Sequence, residues 1–262
     1  MGAPTFHRVF ITGASSGIGA ALAAHYAARG ATLGLLARRR DALEQLAASL
    51  PNSGAHKIYA VDVLDHAALA AAARDFIACM GGADVVIANA GVSAGTLTEH
   101  AEDLPVFETI LATNLTATAA TFAPFIAPMK AQGTPARLVG IASVAGIRGL
   151  PGAEAYSASK AAVISYCESL RVELKAHGIR VVTISPGFID TPMTAVNDYP
   201  MPFLMAPARF AQEAERAIAA GTSYTVIPWQ MGIVAKLLRM LPNALYDFAF
   251  SRAPQKARAP AP

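Results

Sequence analysis

From Arg8 to Ile227 the chain alternates short apolar runs with longer stretches whose apolar residues recur at helical spacing. Short apolar runs ending in turn-forming residues suit strands buried on both faces, and intervening amphipathic segments suit helices packed over them, so the pattern predicts a parallel α/β sheet covered on both sides. The expected strands are Arg8–Thr12, Thr32–Ala37, His56–Val61, Asp84–Ala88, Arg137–Ala142, Arg180–Ser185 and Ser223–Ile227. Helices are expected over Ile18–Arg29 with Gly30 at its end, over Asp41–Leu50 stopped by Pro51, and from a cap at Asp65 to Met80, where Gly81-Gly82 breaks it. Val106–Ala131 is expected to be one long helical region kinked in its second half by Pro124 and Pro128. Glu154–His177 closes on Gly178, and Ala208–Ala220 precedes the last strand.

Residues 190–207 carry four prolines and little periodicity, which predicts a mobile loop or lid. After the last strand, Gln230–Arg239 and Asn243–Phe250 are apolar with scattered basic residues, Lys236 and Arg239 among Ile233, Val234, Leu237 and Leu238. That pattern suits a membrane surface, a partner subunit, or packing over the chain's own core. The expected division is a catalytic domain over residues 1–228, a helical extension over 229–250 and a flexible tail over 251–262, with Gln255–Pro262 disordered.

Composition narrows the field. The 262 residues, 54% hydrophobic and 15% charged, exclude a disordered chain and are enough for one large domain. A net charge of +3, with Arg38-Arg39-Arg40 as the longest basic run, gives no reason to expect nucleic acid. Cys79 and Cys167 form neither a C-x-x-C pair nor a ligand cluster with histidine, and His7, His25, His56, His66, His100 and His177 are dispersed, so buried thiols and no metal are expected. Residues 1–8 lack the apolar run of a signal peptide and no stretch of about 20 uninterrupted apolar residues occurs, so a cytoplasmic protein is expected.

Two places carry candidate chemistry. Gly13, Ala14, Ser15, Ser16, Gly17, Ile18 and Gly19 join the first strand to the first helix. Gly13 permits a tight turn, Gly17 lets backbone approach a pyrophosphate, Gly19 allows close helix–strand packing, and the helix N-terminus supplies free N–H groups to the anion. Tyr156 and Lys160 stand at i and i+4 on the fifth expected long helix face, where an ammonium beside a phenol would pull its pKa below about 10. A phenol tuned in this way exchanges protons near neutral pH.

The glycine turn, Asn89-Ala90-Gly91, Asn114, Ser143, Tyr156-x-x-x-Lys160 and Pro186-Gly187, in this order, closely resemble the classical short-chain dehydrogenases/reductases over about residues 9–227. The resemblance implies a Rossmann-type doubly wound parallel sheet of order 3-2-1-4-5-6-7, with the site at the carboxyl ends of the strands. It implies a tetrad: Tyr156 as acid/base, Lys160 on ribose, Ser143 on the substrate oxygen, and Asn114 kinking its helix and holding a proton-relay water. Asp62 and Val63 would flank adenine, Asn89, Ala90 and Gly91 the ribose, and Pro186, Gly187, Ile189 and Thr191 the nicotinamide amide. Turn capping by Asp62, a simple turn at Asn89 and a strand exit at Pro186 suit the same residues. Where a carboxylate would select NAD(H), the chain has Ala37 followed by Arg38 and Arg39, whose guanidinium groups fork onto a 2′-phosphate, so NADP(H) is expected; Ser16 departs from relatives that are basic there.

The expected activity is therefore NADP(H)-linked reduction of a carbonyl or oxidation of a secondary alcohol, with the substrate set by residues 190–207. A nucleotide-binding regulatory or interaction protein, and a peripheral membrane reductase of lipid or sterol carbonyls acting through 230–250, are the alternatives. Trp229, Phe188, Tyr199 and Phe203 suit an apolar substrate pocket or ordinary core. The resemblance implies a homodimer or homotetramer built on the helices carrying Asn114 and Tyr156.

Overall fold

Successive side chains of the central strands feed two separate cores. The computed structural model describes residues 6–251 and 256–258. Its strands are β1 (Arg8–Thr12), β2 (Thr32–Ala37), β3 (Lys57–Ala60), β4 (Val85–Ala88), β5 (Ala136–Ile141), β6 (Ile179–Pro186) and β7 (Tyr224–Ile227), paired in parallel in the order β3-β2-β1-β4-β5-β6-β7. Val9 and Ile11 of β1, Val85 and Ile87 of β4 and Val182 and Ile184 of β6 enter one core; Phe10, Val86 and Val181 enter the other. The two-residue period of a strand produces this division, and full burial on both faces explains why these strands read as continuous apolar runs.

Helices α1 (Gly17–Ala28), α2 (Arg40–Ser49) and α7 (Pro207–Ala220) cover the first core, with Leu22, Tyr26, Leu43 and Phe210 buried in it. Helices α3 (His66–Met80), α5 (Ala117–Ala131) and α6 (Glu154–Leu174) cover the second. There Phe10 meets Phe76 edge-on at 5.4 Å between centroids, and Gly34 of β2 leaves room for both rings. A Cβ on Gly34 would stand 2.5 Å from Phe10 and 2.7 Å from Phe76. Gly140 of β5 similarly makes way for Cys167, whose buried thiol is pushed up to about 12, whereas Cys79 on α3 is exposed.

Expected boundaries fall within about a residue of the observed strands, and Asp65 caps α3 as expected by accepting from Ala68 N at 2.9 Å. The long helical region differs. Helix α4 (Leu104–Leu111) runs into a wide π-helical turn over Ala112–Thr116, and α5 then continues unbroken through Pro124 and Pro128. The irregularity lies at Asn114 rather than at the prolines, because Asn114 is drawn toward a neighbouring loop. The helical stretch Ala101–Ala131 is also long and apolar enough, by length and composition, to cross a bilayer, although no uninterrupted apolar run marks it. In the fold it packs between α3, β4 and α6.

The extension is helical with one face packed on the core, one of the arrangements expected of it, whereas the tail differs from expectation. Helix α8 (Trp229–Met240) packs one face inward, with Met231 and Ala235 buried and Met231 against Gly187; α9 (Asn243–Phe250) buries Tyr246. Arg148 holds both helices: it donates to Leu238 O at 2.6 Å and Leu241 O at 2.7 Å and stacks on Tyr246 at 4.0 Å. The outer faces expose Ile233, Leu237, Met240, Leu245 and Phe248. Of the tail expected to be disordered, Lys256–Arg258 lie against the loop after β4, where Ala257 O accepts from Gly95 N at 3.0 Å. Gln255 and residues 259–262 lie outside the described residues.

Candidate active site

The chain reverses its winding between β1 and β4, and a cleft opens at the carboxyl ends of these strands, where open α/β sheets take ligands. Its floor is stitched by Thr12 and Asn89. The Thr12 hydroxyl accepts from Asn89 N at 3.1 Å and Ala90 N at 3.2 Å; the Asn89 amide donates to Thr12 O at 3.0 Å and Gly13 O at 3.3 Å. Glycine is required where these turns meet. Gly13 has φ +66° and a Cβ there would fall 2.8 Å from Ala90 Cα, while a Cβ on Gly19 would overlap Gly13 O.

The cleft, about 380 Å³, brings together Gly13, Ser15, Ser16, Gly17, Ile18, Arg38, Arg39, Asp62, Val63, Asn89, Ala90, Gly91, Ser143, Tyr156, Lys160, Pro186, Gly187, Ile189 and Thr191. Gly19 and Asn114 do not line it; each acts from behind. The site fits a dinucleotide in three respects. Helix α1 starts at the glycine turn, no side chain caps its first amides, and no acid occupies its first turn, so its N–H groups are free for a phosphate. Glycines remove side chains from the path along the floor. Arg38, about three-quarters exposed, stands 3.8 Å from Asp62 at the β2–β3 end, and Arg39 donates to Ser15 Oγ at 3.3 Å. Asp62 also accepts from Leu64 N at 3.0 Å, so it caps its turn while lining the cleft. Arg40 turns away and pairs with Glu44 along α2.

At the opposite end, Ser143 leaves β5 and Tyr156 and Lys160 rise from α6. Ser143 and Tyr156 line the same end of the cleft, and the Ser143 hydroxyl accepts from Ala145 N at 3.1 Å. Burial pushes the Tyr156 pKa above its ordinary value, and the nearby Ser143 hydroxyl opposes this only in part. The expected depression of that pKa by Lys160 is not found. The Lys160 ammonium donates to Ile141 O at 2.9 Å and lies 5.8 Å from the phenol ring centre, and burial lowers its own pKa to about 8. Desolvation therefore outweighs attraction at both groups.

Asn114 is fully enclosed. Its Oδ1 accepts from Val92 N at 2.8 Å, and its Nδ2 donates to Val92 O at 3.0 Å and Ser159 Oγ at 2.9 Å. The amide thus reads the backbone of Val92 as a β-strand would, and the π turn is what delivers it there. Both Asn114 Oδ1 and Lys160 Nζ border Gly91, within 3.1 and 3.5 Å of a hypothetical Cβ.

Of the four aromatic candidates none lines the cleft. Trp229 is 66% and Phe203 50% exposed, and Phe188 and Tyr199 pack on one another at 6.4 Å. Instead Val92, Thr109, Thr113, Met193 and Thr194 complete the wall. Thr109 and Thr113 lie at i and i+4 just before Asn114, a polar stripe legible in principle; nothing in the sequence marks Val92 or Met193.

Comparison with known proteins agrees with this geometry. The family model described as short chain dehydrogenase matches residues 7–200. An uncharacterized oxidoreductase of Myxococcus xanthus is 38% identical over 95% of this chain and 98% of its own. A 2-dehydro-3-deoxy-L-rhamnonate dehydrogenase (NAD(+)) of a Sphingomonas species is 36% identical over 70% of this chain and 72% of its own. The crystal structure of a short-chain type dehydrogenase/reductase from Mycobacterium marinum superposes with a TM-score of 0.76 at 29% identity, covering 84% of this chain and 93% of that one. The chain belongs to the short-chain dehydrogenase family and is an oxidoreductase of that family with a nicotinamide dinucleotide cofactor and a small-molecule substrate.

Proposed function

We propose that the protein is an NADP(H)-dependent carbonyl reductase, a secondary alcohol dehydrogenase in reverse, working through Ser143, Tyr156, Lys160 and Asn114. The observation that carries this reading is the gathering of Ser143, Tyr156 and Lys160 at one end of a cleft whose other end presents Arg38 and Arg39. Bound NADPH supplies the hydride. Tyr156 gives the proton to the carbonyl oxygen, and burial keeps the phenol protonated until that transfer. Ser143 holds that oxygen against the phenol. Lys160, held by Ile141 O at the cleft wall, would bind the cofactor ribose. Asn114 keeps Val92 in place and shares the border of Gly91 with Lys160, where a water between the two would return the proton. Arg38 forks onto the 2′-phosphate from the cleft rim.

The related Sphingomonas enzyme is named for NAD(+), so cofactor choice calls for direct measurement. With a panel of ketones and aldehydes, the parent is expected to prefer NADPH over NADH. Arg38→Ala is expected to lose about tenfold with NADPH and little with NADH, as one charged hydrogen-bonded contact implies. Tyr156→Phe should bind NADPH normally and lose about 10² to 10⁴ in turnover. Turnover near the parent's in Tyr156→Phe would end this reading.

The same proposal includes a cytoplasmic homo-oligomer built on α4, α5 and α6, where Leu104 and Val172 are exposed, and contact with a membrane surface through α8 and α9.

A further inference from the structure

Residues 93–103, between Val92 of the cleft wall and α4, contain no strand and one short helical turn, yet they brace the start of the helix that carries Tyr156. Thr96 Oγ1 accepts from Ala155 N at 3.4 Å, Thr96 pairs with Ala153 as a parallel bridge, and Thr98 Oγ1 donates to Glu154 Oε1 at 2.7 Å. The first turn of α6 therefore rests on this loop. On its other side the loop rests on the C-terminal segment. Arg258 makes a two-pronged contact with Asp103, Nε to Oδ2 and Nη2 to Oδ1 both at 2.9 Å, and reaches Glu102 Oε1 at 3.1 Å. Asp103 is almost fully buried and also accepts from Leu97 N at 2.9 Å, so without Arg258 it would be an enclosed carboxylate with one neutral donor. Lys256 Nζ donates to Ser93 Oγ at 3.0 Å, next to Val92. Gly95 is shaped for this contact: a Cβ there would overlap Lys256 O and come within 2.7 Å of Ala257 O.

We propose that Lys256, Ala257 and Arg258 form a positioning strap, which holds residues 93–103 and, through Thr96 and Thr98, fixes the first turn of α6 so that Tyr156 meets the substrate oxygen. Arg258 is the anchor and acts through Asp103; it does not touch the reacting atoms. The function rests on the Tyr156 reading above, and the contact does not.

The test compares the full chain with Arg258→Ala, Arg258→Lys and Gly95→Ala, the last blocking the strap without removing a charge. Arg258→Ala and Gly95→Ala are expected to lower kcat at least tenfold with NADPH dissociation constant unchanged, to speed amide hydrogen exchange in residues 93–103 and at Ala155, and Arg258→Lys to recover part of both. Tyr156→Phe is assayed beside them. If Arg258→Ala and Gly95→Ala retain parental kcat and exchange, or if they lose NADPH binding and kcat together, the strap is refuted. If exchange rises as expected while Tyr156→Phe turns over like the parent, the strap holds the loop but the proton-donor assignment fails, and with it the strap's catalytic role.

Discussion

Lys160 brings an ammonium into the protein with one carbonyl, Ile141 O, as its partner, and this has a cost that pH should reveal. Its pKa is about 8 in the folded chain against 10.5 in the unfolded one. Below pH 8 both states are charged and the penalty for burying the charge is present in full. Between about 8 and 10.5 the unfolded state binds the extra proton, so stability rises with pH, and above that range the penalty has gone. The gap corresponds to roughly 3 kcal/mol. Lys160→Met is expected to raise Tm at pH 7, to lose that advantage as pH climbs through the window, and to abolish turnover. Parallel thermal melts from pH 7 to about 10.5 measure this; a variant less stable than the parent at pH 7 would contradict it. At this scale the glycines of the turn after β1 and the gathering of Ser143, Tyr156 and Lys160 in one cleft were legible, because few residue types suit those places. The phenol's environment was not, since i, i+4 spacing places two side chains on one face without saying whether the longer one bends toward its neighbour or toward a strand carbonyl.

Among elements, the strands were legible because two-sided burial leaves unbroken apolar runs with turn formers at their ends. The π turn at 112–116 was not. It shifts one set of backbone hydrogen bonds and leaves the apolar spacing nearly intact, while Pro124 and Pro128 advertise a break that α5 does not make. Prolines cost one helical hydrogen bond each, but packing of Phe122, Phe125 and Met129 against the second core holds the helix across them. The union of β1 and α1 makes a sharper case. Gly19→Ala pushes a methyl into Gly13 O, so α1 must move off the turn whose amides face the cleft. A loss of about 1–3 kcal/mol is expected from the crowding, with NADPH affinity falling at least as far. Denaturant unfolding and fluorescence titration report the two effects, and a variant with unchanged cofactor affinity would show that helix placement does not govern the anion site.

Over the whole molecule the exposed apolar side chains are unevenly distributed. Of the fourteen large ones among the described residues, Met193, Val196, Phe203 and Leu204 lie in the 190–206 loop and Trp229, Ile233, Leu237, Met240, Leu245 and Phe248 lie on α8 and α9. The first segment follows β6, whose carboxyl end lines the cleft, and the second follows the edge strand β7. Lys236 and Arg239 accompany this second segment, with Asp247 as the acid of α9. Co-flotation with anionic vesicles is expected, reduced by replacing Leu237 and Phe248 with serine and by high salt; failure of the parent to float would remove the membrane contact. The amphipathic pattern of this extension was legible, but which face packs inward depended on Arg148, far away in sequence and unremarkable there. The tail's docking was likewise hidden, because a sequence of alanine, proline and basic residues carries no sign of the buried Asp103 that receives it.

The two cysteines differ sharply in their surroundings. Cys167 is sealed behind Gly140 with its thiol held neutral, and Cys79 is open to water on the outside of α3. Maleimide should accordingly modify one equivalent per chain in the native protein and two in denaturant. A dye or spin label could then be placed on α3 without first engineering away a second reactive position, and its signal would follow opening of the α3 side of the sheet while the catalytic cleft stays chemically untouched.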